Sequence, residues 1–293
     1  MSAMQMSDSP LAQAGRKYFS AEDAETWMGL LRPAFHLRAL EPGEPQVGCL
    51  GGDPLLPADL EWPTWEGHGP LYFIAALDCA KVPAGHLDIP LPDSGTLLFF
   101  YFDGLGESSV AYNDPDSVIN GTRVLHIPAD AETAPRTRPD GQAPFARLEL
   151  GGELITTIPD NENAALIKAY GDPDDPAAYC DYPTTDPDGQ GFWDALTAFR
   201  RDHSPHHRIG GYALPIQGPV EPEGAQVFHP GDDADDETAR KELATRLVLL
   251  AQIDSDARTA MGWGDAGRLY WLISREDLAA GRFEKATFTW QCE

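Results

Sequence analysis

Two aspartates, Asp254 and Asp265, flank the stretch Met261-Gly262-Trp263-Gly264, and Asp265-Ala266-Gly267 then leads into the apolar run RLYWLI. Two carboxylates on neighbouring turns can hold a cation or divide general-acid and general-base work between them. The same residue types also serve architecture. Gly264 and Gly267 permit unusual φ angles, Asp265 can cap the turn by accepting backbone N–H groups, and Trp263 can cover a sheet edge. With the polar and aromatic side chains upstream, the candidate ligand-binding set is Tyr212, Gln217, Gln252, Asp254, Trp263 and Asp265. A second constellation, His203, His206 and His207 in HSPHH, offers imidazoles for a zinc ion, but His203 and His206 flank Pro205 and no fourth ligand is near in sequence. These are read as solvated loop histidines. Cys49, Cys79, Cys180 and Cys292 lie far apart without C-x-x-C spacing, which predicts buried, reduced thiols. No serine sits in a G-x-S-x-G turn and no glycine-rich loop opens a helix, so no catalytic residue, metal or cofactor is assigned.

The elements that must position these residues follow from periodicity. SAEDAETWMGLLRP opens with Ser20 before Asp23, a capping-box-like start, and puts Ala24, Trp27, Met28 and Leu31 on one helical face. LYFIAAL, TLLFFYF, RVLHIP and FARLEL are short, aromatic or β-branched, and bounded by Pro, Gly or Asp, which predicts strands. From residue 159 to 201 the period turns helical, with Leu166 and then Phe192, Leu196 and Phe199 on buried faces. An Asp/Glu-rich start with Arg240 and Lys241 later in the run predicts a short acidic-to-basic helix, and RLVLLAQI, RLYWLI and ATFTWQ predict closing strands with a capped turn SREDLAA between the last two.

Laid side by side, the two ends share an order. GGDPLLP, GPLYFIAALD and DSGTLLFFY in the first match GGYALPI, TRLVLLAQID and DAGRLYWLI in the second, so Asp78 and Asp93 stand where Asp254 and Asp265 stand. This predicts an internal duplication. The expected fold is α+β, mainly β, with two β-units related by a pseudo-two-fold and short helices between and around them. The expected organisation is an extension with a short amphipathic helix over 1–47, then one domain over 48–293. Its parts are a β-unit (48–150), a helical insert (151–208) and a second β-unit (209–293). Trp263 has no aromatic counterpart before Asp93, which points to a specialised surface on the second unit.

GGDPLLPADLEWP, FIAALD, GTLLFFY, RIGGYALPIQG, LLAQIDSD and above all MGWGDAGRLYWLISREDL with the terminal FTWQCE resemble the YwqG-like family, the bacterial domain of unknown function 1963. The likeness runs from about residue 48 to the C-terminus. It implies a mainly-β α+β fold on a duplicated unit and no established reaction. Because some members occur beside secreted polymorphic toxins, it also implies an immunity or other toxin-associated role. Ala213-Leu214-Pro215-Ile216 departs from the family, where a proline followed by an aromatic is commoner.

Charge bounds the function class. Lys plus Arg is 21 against 47 Asp plus Glu, a net charge of −26, and such a field repels nucleic acid and anionic lipid while steering a basic partner inward. The densest cluster is Asp232-Asp233-Ala234-Asp235-Asp236-Glu237. No apolar window is long enough to span a membrane, and the N-terminal sequence lacks the order of a secretory signal, so a cytoplasmic protein is expected. The expectation is an acidic interaction protein, a monomer or weak oligomer, that binds a basic protein such as a toxin and neither nucleic acid nor membrane. The alternative is an enzyme or small-molecule-binding protein that uses a cleft between the two β-units.

Overall fold

A computed structural model describes residues 6–103, 110–111, 114–172, 179–231 and 233–293. The apolar runs pair into one ten-stranded sheet. In chain order its strands are β1 (Arg32–Ala39), β2 (Gly48–Leu50), β3 (Tyr72–Asp78), β4 (Thr96–Tyr101) and β5 (Thr122–Ile127), then β6 (Leu148–Thr157), β7 (Arg208–Ile209), β8 (Leu247–Asp254), β9 (Arg268–Ser274) and β10 (Thr287–Gln291). Across the sheet they run β10-β9-β8-β7-β1-β6-β2-β3-β4-β5, each pair antiparallel. At the centre β1 and β6 pair along their length, from Arg32 opposite Thr157 to Ala39 opposite Leu150. The fold is therefore α+β and mainly β, on a single continuous sheet.

Two placements differ from the sequence reading. The stretch 1–47 is more than an extension, because it supplies β1, a central strand. The boundary expected at 150/151 falls inside β6. RPAFHLRA hides its strand character behind Pro33, His36 and Arg38, although Ala34 through Leu37 are buried.

The long strands β3, β4, β8 and β9 are apolar almost throughout because both of their faces are covered. The ladder slips between Phe73 and Ala75 in β3, and between Leu249 and Ala251 in β8, each time just before the aspartate that ends the strand. The sheet curls until its halves face one another. Phe99 meets Trp271 at 5.2 Å between ring centroids and Tyr101 meets Phe288 at 5.3 Å, while Trp290 Nε1 donates to the Val110 carbonyl at 2.8 Å. The space between the halves is thus filled by aromatic side chains.

Eight α-helices are present among the described residues. The helices α1 (Pro10–Tyr18), α2 (Ala21–Leu30), α4 (Ala164–Tyr170) and α5 (Gln190–Asp202) close a second core around Trp27, Phe192 and Leu196. Ser20 starts α2 as expected, its Oγ accepting from Asp23 N and donating to Asp23 Oδ2. The helix α3 (Pro115–Gly121) lies by β5 and β10, and α6 (Val220–Gln226) packs Val220 and Ala225 onto Leu247, Leu249 and Leu272 of the sheet, with α7 (Ala234–Ala244) beside it. The expected capped turn is α8 (Arg275–Ala279), started by Ser274. No helix among the described residues is long and apolar enough to cross a membrane.

Candidate functional site

On the outer face of the second half, long polar side chains fasten a strap of chain, residues 212–218. Gln252 Oε1 accepts from Leu214 N at 2.9 Å, and its Nε2 donates to the His206 carbonyl at 2.7 Å. Arg268 and Tyr270 both donate to the Leu214 carbonyl at 2.9 Å. Gln291 Oε1 accepts from Ile216 N and Gln217 N, and its Nε2 donates to the Gly218 carbonyl and Glu223 Oε1. Asp254 is equally occupied, accepting from His206 N, Ser255 N and Arg268 Nε. These groups hold the molecule's own backbone.

Tyr212 and Gln217 belong to the strap itself, and Trp263 and Asp265 lie in the turn before β9. Tyr212 is buried with the Arg32 guanidinium 4.3 Å from its ring centroid. Trp263 is buried against Tyr101 and Phe145, its Nε1 without a hydrogen-bond partner. Gln217 is exposed, and so is Asp265, at the tip of a turn closed by Gly267 N donating to the Trp263 carbonyl at 2.9 Å. The Asp265 carboxylate makes no hydrogen bond among the described residues; its backbone carbonyl accepts from Glu293 N. Of the six, Gln252 and Asp254 share the outer face of β8, and none lines either cavity described below.

The histidines are corrected too: His206 and His207 are buried rather than solvated, because they lead directly into β7. His207 Nδ1 accepts from Asp254 N at 3.0 Å, which places the ring proton on Nε2, and that proton is donated to Asp256 Oδ2 at 3.2 Å. Burial opposes ionisation of Asp256, yet the hydrogen bonds from His207 and Arg258 outweigh it and hold its carboxyl well below the usual range. Among the described residues no group of three His, Cys, Asp or Glu is placed to hold a metal ion.

The corresponding face of the first half contains a cavity of about 300 Å³, at the lower end of sizes typical of small-molecule sites. Its floor is Phe73, Ala76, Leu98 and Ile127, and its polar lining includes Asp53, Asp78, Lys81, Thr96 and Arg147. At the rim stands Leu55, an aliphatic side chain 53% exposed. Lys81 Nζ lies 3.2 Å from Asp78 Oδ2, and Arg147 Nε donates to Glu149 at 2.7 Å. Both pairs are open to solvent and leave donors free for a guest. Burial pushes the Cys49 thiol up, so it stays protonated at neutral pH.

Side-chain length explains why one half has this space and the other does not. Asp78 pairs with Thr96 as Asp254 pairs with Arg268, and the neighbouring rungs set Ala76 against Gln252, Leu98 against Tyr270 and Ile127 against Gln291. Where the second half carries long hydrogen-bonding groups that pull the strap onto the sheet, the first half carries short or apolar ones. The sequence reading overlooked Lys81, Arg147 and Thr96. The detectable signal was this rung-by-rung difference between the two ends, available once they are aligned on their aspartates.

A family described as Domain of unknown function (DUF1963) matches residues 49–292, and the chain belongs to that family. No curated protein matches the chain.

Proposed function

From membership of a family whose description assigns no function, we propose that this protein binds a small molecule in the cavity of its first half, one that carries both charged and apolar parts. The supporting observation is the 300 Å³ cavity with Asp53, Asp78, Lys81 and Arg147 around an apolar floor, at the place that the second half closes with its own strap. Among the described residues no histidine lines it, and its thiol stays protonated, which favours binding over nucleophilic chemistry. The experiment is a thermal-shift and calorimetric screen of small zwitterions, organic acids and amines against wild type and Ala76→Phe. A ligand whose stabilisation is lost in the well-folded variant supports the reading; a hit that binds both proteins equally sinks it.

This reading includes a duplicated fold. What supports it is the strand order, which is the same from either edge when β1 is matched to β6 and each later strand to the one five places on. The matched ladder slips in β3 and β8 support it as well, as do Gly51-Gly52 and Gly210-Gly211, consecutive residues at φ between 56° and 75° that open both straps. The four thiols are unpaired, in keeping with a reducing, cytoplasmic setting.

The net charge of −26 supports a second reading, capture of a basic protein, of which toxin immunity is the most concrete form. The densest acidic cluster is partly architectural, since Asp233 caps α7 through Asp236 N and Asp236 lies 3.6 Å from His229; Asp232 lies outside the described residues. Association with a partner isolated at low salt slows steeply as ionic strength rises on this reading, and a rate indifferent to salt sinks it.

A further inference from the structure

Beneath the second half's strap lies a smaller cavity, about 20 Å³, whose polar lining is Thr157, Asp160, Arg200, His203, His206 and Arg208. That is room for one water-sized species. His206 and Arg208 are alternate residues on the same side of an extended segment, 8% and 5% exposed. Arg208 donates through Nη1 to the Tyr212 carbonyl, but its Nε has no partner, and neither has Nδ1 of His206. Among the described residues no carboxylate lies within ion-pair distance of Arg208 or Arg200. Asp254 already serves Arg268, and Asp160, which lines the cavity, accepts from Glu162 N.

A guanidinium without a counter-charge in a dry interior is costly, and folding normally supplies the partner. A protein with 47 acidic residues places one of them, Asp160, in this lining, beyond ion-pair distance of both arginines. The first half has Val47 and Cys49 at the matching rungs, so the His206–Arg208 pair belongs to the second half alone. We infer that this cavity holds a small monovalent anion, either a halide or the carboxylate head of a small acid, bound by Arg208 Nε, His206 Nδ1 and the Arg200 guanidinium. It is a separate site from the 300 Å³ cavity and stands whether or not that cavity binds anything.

The test measures melting temperature at fixed ionic strength in sodium chloride, sodium acetate and sodium isethionate, whose anion is too large for the cavity. Wild type is expected to gain roughly 5 °C in chloride or acetate over isethionate, saturably, and Arg200→Gln to lose that difference. Arg200 is the partly exposed member of the set, so its variant keeps the fold where Arg208→Gln could lose it. Crystals soaked in bromide are expected to show an anomalous peak within hydrogen-bonding distance of Arg208 Nε, or an acetate there if only acetate stabilises. An ion-specific gain unchanged in Arg200→Gln, no gain at all, or a cavity filled by water alone in both soaks overturns the inference.

Discussion

A methyl group on Gly267 would collide with the Trp263 carbonyl oxygen and come within 2.5 Å of that of Gln291, because the turn presses its backbone against the last strand. That contact, rather than the Asp265 carboxylate, gives the Trp-Gly-Asp-Ala-Gly segment its importance. Gly267→Ala is expected to cost about 2–3 kcal/mol in a urea titration, while Asp265→Ala stays within about 0.5 kcal/mol of wild type. The reverse ranking would return the capping role to the aspartate. The histidines set the acid limit. His36 and His206 are held at about 4 and about 2, by burial first, with the His203 and Arg208 charges adding to it respectively. The unfolded chain takes up protons as pH falls through about 6.5 and the folded one does not, so this contribution is complete above that pH and is lost on the way down to about 4 for His36 and about 2 for His206. Denaturation midpoints at pH 7.5 and pH 5 should therefore differ, and His36→Gln should narrow the difference.

The strap of the second half is held by side chains from three strands, and Gln291 alone makes three of its contacts. Gln291→Leu is expected to cost roughly 2–4 kcal/mol by orphaning buried groups. The amides of Ile216 and Gln217 should then exchange faster while those of β8 stay protected; uniform loss of protection would show that the strap does not open as a unit. Elements of this molecule were legible to the degree that packing rather than length decides them. LYFIAAL, TLLFFYF and RLVLLAQI declared strands because both faces are covered, and Ser20 and Ser274 declared helix starts through their caps. The strand β1 stayed hidden because it buries His36 in the middle of the sheet, and β7 because it is two residues long. Gln252, Asp254 and their neighbours stood out in the sequence because they have the chemistry of a ligand shell, and only coordinates show that the groups Gln252 and Asp254 hold are the protein's own backbone. The first-half cavity arises from what Ala76 and Thr96 lack, and missing atoms leave no motif.

Seen whole, the sheet places β1 between β6 and β7 and places β6 between β1 and β2, so each half lends its opening strand to the other. Neither half can complete its sheet alone. Residues 1–145 and 146–293 expressed separately are expected to unfold without a cooperative transition and to recover one when mixed, as read by calorimetry; a cooperative melt of either piece alone would contradict this. The net charge adds a general prediction. Self-repulsion at −26 is relieved by screening, so the melting temperature should rise between roughly 10 mM and 300 mM salt before any ion-specific effect is counted. The exchanged strands also matter during synthesis. The strand β1 leaves the ribosome well before its partners, since β6 begins only at Leu148 and β7 at Arg208. At about 5–20 residues per second, Phe35 and Leu37 wait roughly 6–25 s for the strand that covers them. Until then the nascent chain carries an unpaired, partly apolar edge, and sheltering that edge becomes a task for chaperones as much as for the fold.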